Sequence, residues 1–506
     1  MLAVTRSACL AGVVGHPVAV EVHVTPGLPG YTIVGLPDTS CRESRDRVRA
    51  AIVSSQKVYP QRRVTVNLAP SELRKLGAGL DVAMAVALLV ASGELSWTPT
   101  DQLGFLGELG LDGTLRPVRG ILPMAAAMGV DELVVAVGNA AEAALIGGLK
   151  VRPVATLTEL IGALSGEEPW PEHDIPVARR AHEPPAPDLS EVRGQSFARL
   201  AVEVAAAGNH HLLMVGAPGA GKTMLAERIA PLLGELDDDA ALDVSSVHSA
   251  AGELSDTSGL LRRPPFRAPH HTASVVSIIG GGTQLLRPGE VSLAHQGVLF
   301  LDELGEFPAH VLDALRQPLE SGAVQISRAH VSVRLPARFL LVGAMNPCPC
   351  GQGGSSRCSC SEAALQRYAR RVSGPLLDRF DLRLRVHPTP RADLVAEQPA
   401  EPTSVVRERV RVARARAAAR GARSNAELDG ATLRACASFQ PPAQRMLEAA
   451  IDAGRLSGRG FAKVRRVALT LDDLREGDGR LDEEVVSLAL ALRSEIDLGT
   501  RRVVMS

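Results

Sequence analysis

Lysine is scarce in this 506-residue chain: Lys57, Lys75, Lys150, Lys222 and Lys463 are all there are, against fifty arginines. One of those few lysines falls inside a phosphate-loop pattern, where composition alone would rarely put it. Aromatic residues make up only 3%, which leaves few platforms for stacking against nucleobases. No run of eighteen or more apolar residues occurs, so no membrane span is expected. Met1–Ala11 holds one early Arg and a broken apolar stretch, a poor signal peptide. Charge of one sign is also lacking. The 55 basic and 56 acidic side chains leave a net charge of −1, so local charge must decide any polyanion partner. Cysteines number seven, too few for a disulfide scaffold. With no export signal, a reducing cytoplasm is the expected location. Global disorder is excluded by 45% apolar and 22% charged residues.

The chain divides by composition. Residues 1–165 alternate strand-like and helix-like stretches. Val18–Val24 and Arg63–Leu68 read as strands, and Leu80–Ala91 as a buried helix. Ser40 is the expected cap of a helix over Cys41–Ser55. Residues 166–190 carry six prolines and many charges, a linker composition. Residues 191–395 form a second αβ block, and residues 396–506 are helix-rich, with a short boundary near Pro388–Pro399.

The second block carries the chemistry. The apolar strand His210–Val215 runs into Gly216-Ala217-Pro218-Gly219-Ala220-Gly221-Lys222-Thr223 and then a helical pattern. This is G-x-x-x-x-G-K-T in strand–loop–helix context, a P-loop. Its glycines let backbone N–H groups turn toward phosphates. Lys222 is placed to neutralise the β- and γ-phosphates of ATP, and Thr223 to ligate Mg²⁺. A second strand, Gly297–Leu301, delivers Asp302 for the Mg²⁺ shell and Glu303 to polarise the attacking water. A third, Arg338–Val342, leads to Asn346, a γ-phosphate sensor. Arg379, in Gly-Pro-Leu-Leu-Asp-Arg-Phe-Asp, is the candidate finger reaching a neighbour's γ-phosphate. That reading requires an oligomer.

Longer stretches add a resemblance. Arg267-Ala268-Pro269-His270-His271-Thr272, Gly280-Gly281-Gly282, the run from Pro288 to Glu303, and Ala344-Met345-Asn346-Pro347-Cys348-Pro349-Cys350-Gly351 resemble the magnesium-chelatase-like branch of AAA+ ATPases, and within it the ComM/YifB family. The resemblance implies a Lon-protease-like α+β N-terminal domain, an AAA+ P-loop αβα core and a C-terminal helical lid domain. It implies a homo-hexameric ring that hydrolyses ATP and drives branch migration or unwinding of branched or single-stranded DNA in recombination or DNA uptake. It also places Ser457-Gly458-Arg459 at a second sensor position, with Arg459 reaching the γ-phosphate of its own chain and Arg466 as fallback. In the Lon-like domain, Gly79 takes the place of the nucleophilic Ser and Leu122 that of its Lys partner. A Ser–Lys dyad needs a hydroxyl and a desolvated amine, so no peptidase activity is expected, and Ser71 is a weak substitute. Two other readings stay open: a metal-insertion motor of the magnesium-chelatase kind, and an ATP-dependent protein-remodelling module.

Three features admit more than one reading. The 80 residues from Lys222 to Asp302 exceed a minimal core, so Leu242–Glu290 is expected to hold an insertion near a ring pore. Its pair His270-His271 fits loop hydrogen bonding, substrate contact or metal. Cys348, Cys350, Cys358 and Cys360 can supply a tetrahedral Zn²⁺ site, or remain reduced structural thiols, or act as a redox switch. Val405–Arg423 has seven Arg and one Glu. It reads as a lid helix with a solvated face or as a surface tracking DNA phosphates.

Overall fold

The computed structural model describes residues 1–175, 185–254, 259–282, 286–328, 331–352, 358–391, 393 and 400–493. The middle of the proline-rich linker and the expected boundary at 395/396 lie outside the described residues.

The N-terminal region is a seven-stranded mixed sheet. Its strands are β1 (Leu2–Ala11), β2 (Val14–Thr25), β3 (Gly30–Val34), β4 (Arg63–Ala69), β5 (Leu103–Leu106), β6 (Glu132–Ala136) and β7 (Lys150–Val154), in the order β3-β4-β2-β1-β5-β6-β7. β1, β2 and β4 pair antiparallel, and β5, β6 and β7 run parallel. β2 alternates apolar-in and polar-out because only one of its faces meets the core. Helix α1 (Thr39–Ser54) is capped by Asp38, which accepts the Cys41 N–H at 2.8 Å. The expected cap, Ser40, instead lies within the helix: the chain turns two residues earlier because Asp38 also accepts the Gly77 N–H. Helix α2 (Asp81–Ser92) is apolar on nearly every side and is buried, and α3 (Ile121–Met128) covers the same sheet.

The second region is a five-stranded, all-parallel sheet. It contains β8 (Leu212–Gly216), β9 (Phe266–Arg267), β10 (Val298–Leu301), β11 (Leu340–Met345) and β12 (Leu382–Val386), in the order β9-β10-β11-β8-β12. β8, β10 and β11 read as unbroken apolar runs and are buried throughout, as central parallel strands must be. Loops leaving their carboxyl ends therefore open on one edge, where ligands bind in such sheets. Helices α4 (Ser196–Gly208), α5 (Lys222–Glu227), α6 (Asp238–Ala251) and α7 (Glu362–Arg371) surround the sheet. α6 also meets the N-terminal region: the Gly120 N–H donates to the Ser249 carbonyl at 3.2 Å, and Ser249 donates to Glu142. One apolar cluster spans both regions, joining Leu10, Val13 and Ile121 to Leu213, Val247 and Leu335.

The C-terminal region is helical: α8 (Thr403–Ala419), α9 (Pro441–Asp452), α10 (Gly458–Leu474) and α11 (Glu483–Ala491). They pack on α4 and the sheet in a single core. The arginines of α8 and its C-terminal extension are largely consumed inside the molecule. Arg409 grips Glu203 and Glu401, Arg414 donates to the carbonyls of Ala206 and Leu233, and Arg416 and Arg420 converge on buried Asp473. Of the two readings of this stretch, the lid helix is the one found, and its basic face is less solvated than expected. Four of its seven guanidiniums anchor the helix, because they lie on the side that packs.

Candidate nucleotide site

Gly219 and Gly221 take φ of +76° and +86°, the left-handed conformation in which a side chain is strained. The loop so formed wraps the Lys222 ammonium. Its Nζ donates to the carbonyls of Gly216 and Ala217 at 2.7 and 3.0 Å and to Asn346 Oδ1 at 3.2 Å. Lys222 comes from the start of α5 and Asn346 from the end of β11, so two adjacent strands bring them together. Burial lowers the Lys222 pKa, while Asp302 and Glu303 pull it back up. Gln195, which no sequence motif pointed to, bridges the Ala220 carbonyl and the His387 carbonyl at 2.9 and 3.1 Å. It ties the loop to the end of β12.

The carboxylates arrive from β10. Asp302 accepts the Thr223 hydroxyl on Oδ2 at 3.0 Å and the Glu303 N–H on Oδ1 at 2.9 Å, so both oxygens are fixed. Thr223 and Asp302 thus present adjacent oxygens of the kind a hard divalent cation takes. Glu303 adopts φ of +50°, strained for a residue with a Cβ. Its carboxylate lies 3.1 Å from His271 Nδ1. Of the three readings of the histidine pair, the structure carries loop contact, with a sharper partner than expected. His270 and His271 stack at 4.1 Å, His270 bonds Thr272, and His271 faces the candidate water-polarising carboxylate. No motif signals this meeting, because His271 and Glu303 lie on different elements.

Arg379 sits at the far end of the same sheet. The backbone N–H groups of Asp381 and Leu382 donate to the His211 carbonyl, just before β8 begins, whereas the P-loop leaves where β8 ends. Five strand residues separate the two ends by roughly 16 Å, so Arg379 does not reach its own Lys222. Its guanidinium pairs with Glu320. Arg459 is found beside it, not beside the P-loop: Arg379, Arg459, Lys463, Arg466 and Glu320 line one cavity of about 400 Å³. The reason is the docking of α10. Lys463, one turn after Arg459, pairs with Asp381 at 2.8 Å and donates to the carbonyls of Asp378 and Arg379. The cis placement implied for Arg459 is therefore corrected, and the fallback Arg466 lies in the same cavity, with its guanidinium on the Leu428 carbonyl.

The four cysteines cluster immediately after Asn346, with their sulfurs within 4.8 Å of one another. In the N-terminal region Gly79 faces only the methyls of Val118, Leu122 is wholly buried, and Ser71 is exposed. The buried amine there is that of Lys75, which donates to the Pro70 carbonyl. Among the described residues no helix is long and apolar enough to cross a membrane.

Comparison with known proteins agrees with this geometry. Family models match in three consecutive pieces: subunit ChlI of Mg-chelatase over residues 20–139, magnesium chelatase subunit ChlI over 188–394, and the ChlI C-terminal model over 400–493. An uncharacterized protein of Mycobacterium tuberculosis is 45% identical over 98% of this chain and 99% of its own length. Competence protein ComM of Haemophilus influenzae is 40% identical over 98% of each chain. The magnesium-chelatase 38 kDa subunit of Rhodobacter capsulatus is 28% identical over 34% of this chain and 53% of its own length. With the G-x-x-x-x-G-K-T loop, the Asp302-Glu303 pair and Asn346 on one sheet edge, the chain belongs to the ComM/YifB family of magnesium-chelatase-like AAA+ proteins.

Proposed function

We propose that the chain is an Mg²⁺-dependent ATPase that works as a homo-hexameric ring and moves DNA, branched or single-stranded. The observation that carries this reading is the split site. Lys222, Thr223, Asp302, Glu303 and Asn346 converge at one sheet edge, while Arg379 and Arg459 stand together at the other. Hydrolysis needs positive charge on the γ-phosphate in the transition state. One chain supplies Lys222 alone, and a neighbour docked against the open edge supplies both arginines. Glu303 polarises the attacking water, and His271 holds Glu303 until that water is bound. DNA as the polymer is supported by the 40% identity to a competence protein. With so few aromatics, the grip on DNA is expected to be backbone-led and strongly salt-dependent.

The test is the ATP turnover rate without polymer, with single-stranded DNA, with a Holliday junction and with unfolded protein, at two salt concentrations. Stimulation by DNA that fades with salt is the expected result. Stimulation by unfolded protein alone would instead favour a protein-remodelling module. Stimulation by neither, with activity only beside a chelatase partner, would favour metal insertion.

A further inference from the structure

Cys348 and Cys350 follow β11, and Cys358 and Cys360 precede α7. Their sulfurs stand 3.3 Å (348–350), 3.6 Å (350–358) and 3.8 Å (348–358) apart, and all four lie within 4.8 Å of one another. Four thiolates at about 2.3 Å from a central zinc are separated from each other by about 3.8 Å in a tetrahedron. None is in a disulfide, and a bonded pair would lie at about 2.05 Å. The separations of the four sulfurs lie in the range that ligands of one ion take. Cys348 is fully buried and the other three are half-exposed, so an ion has an entry path and is closed off on the protein side. An all-sulfur set selects a soft or borderline cation and rejects Mg²⁺. It is therefore distinct from the oxygen pair of Thr223 and Asp302.

We propose that this cluster is a structural zinc site that positions the nucleotide sensor. Three parts of the ATP site meet at the knot. Cys348 is two residues beyond Asn346, whose side chain accepts from Lys222. Gly351, at φ +76°, lies against the P-loop: a Cβ there would come within 2.7 Å of Pro218 Cδ. Ser361 directly follows Cys360 and caps α7 through the Ala364 N–H. On that helix Tyr368 packs against Gly305, and Arg371 donates to the Gly305 carbonyl at 2.8 Å, just past the Asp302-Glu303 pair. One ion thus joins residues 348–350 to residues 358–360 and fixes the sensor strand, the P-loop and the turn after the carboxylates relative to one another. Binding of the ion stands without the ATPase reading. Its consequence for turnover rests on that reading.

The experiment begins with metal content. Full-length protein should purify with about one zinc per chain, and its four clustered thiols should resist a thiol reagent until a chelator is added. The Cys358→Ser/Cys360→Ser double variant should lose the ion, whereas Lys222→Ala, which damages only the nucleotide loop, should keep it. Turnover of the double variant should fall about tenfold, with affinity for a fluorescent ATP analogue much less changed. In case that variant misfolds, chelation of the unmodified protein followed by zinc addition provides the same readout, a fall and a recovery of turnover. A chain that purifies metal-free, takes up no zinc and exposes all four thiols would overturn the site. Zinc that leaves with no effect on turnover would overturn its positioning role. A zinc-loaded chain that hydrolyses no ATP would sink the motor reading and leave the metal site standing.

Discussion

The N-terminal sheet and the P-loop sheet both pack against helices, yet their strand ends deliver opposite chemistry. In the P-loop region the loops end in Lys222, Thr223, Asp302, Glu303 and Asn346, bonded to one another and left partly open. In the N-terminal region the positions of the Lon-like dyad hold Gly79 and a buried Leu122. Charged groups are buried there too, but their partners come from within the region. Asp81 accepts from Arg47 at 2.6 Å, from Ser44 and from the Leu109 N–H. Lys75 donates to the Pro70 carbonyl, and burial lowers its pKa. Burial likewise pushes the nearby Cys9 thiol up to about 11. A buried charge held by internal partners serves to hold a fold together. A carboxylate fixed on one side and open on the other is ready for a ligand. That difference separates a scaffold from a chemical site more sharply than fold does.

The largest effect that tests this contrast is Glu303→Gln. It should leave ATP affinity near that of the parent and reduce turnover by about 100-fold or more, the usual contribution of a positioned general base. Equal turnover in variant and parent would refute the assignment. Next is Asp81→Ala, which strands Arg47 beside a cavity. It should destabilise the N-terminal region by about 3 kcal/mol, seen in thermal melts, with nucleotide affinity unaffected. If ATP binding fell as well, the two regions would not be separable in the way drawn here.

Acid should act on the P-loop region by a similar amount. His295 is buried and accepts the Arg338 N–H on Nδ1, and burial lowers its pKa to about 4. The unfolded chain takes up its proton near pH 6.5, so it binds more protons than the folded one between those values. The stability contributed by this residue is present above about pH 6.5 and is lost as pH falls toward 4, about 3 kcal/mol in all. Burial lowers His211 in the same way, to about 4. Denaturant titrations at pH 7.5, 6 and 5 would measure the slope. The smallest effect is that of Gly79→Ser. An added Cβ meets only the Val118 methyls at 4.0 Å, so stability should change by less than about 1 kcal/mol. Release of casein fragments should stay at background, because the buried Leu122 stands where the Lys partner would be. Peptide release by this single variant would mean that the N-terminal region retains a hidden base.

Much of the P-loop site was legible because its chemistry is local. The glycine spacing, the strand before it and the helix after it all fall within some twenty residues, and the Asp302-Glu303 pair needs only an apolar strand in front of it. Cap position was less legible: Asp38 and Ser40 are equally good N-cap types, and the contact from Gly77 chose between them. The basic helix left two readings open for a related reason. A count of charge cannot tell which face of α8 packs, and Glu203 and Asp473, which take up three of its arginines, are distant in the chain.

The order of residues by itself determined the phosphate loop, its paired carboxylates, the strand and helix periods and the set of four cysteines, since each depends on neighbours along the backbone. Only the tertiary structure decided that His271 faces Glu303, that Gln195 ties down the loop, that Arg459 stands with Arg379 away from its own Lys222, and that four sulfurs gather within 4.8 Å of one another near Asn346. The physical reason is the same in every case. These meetings are set by how helices and strands dock, and docking is fixed by buried contacts between segments far apart in the chain.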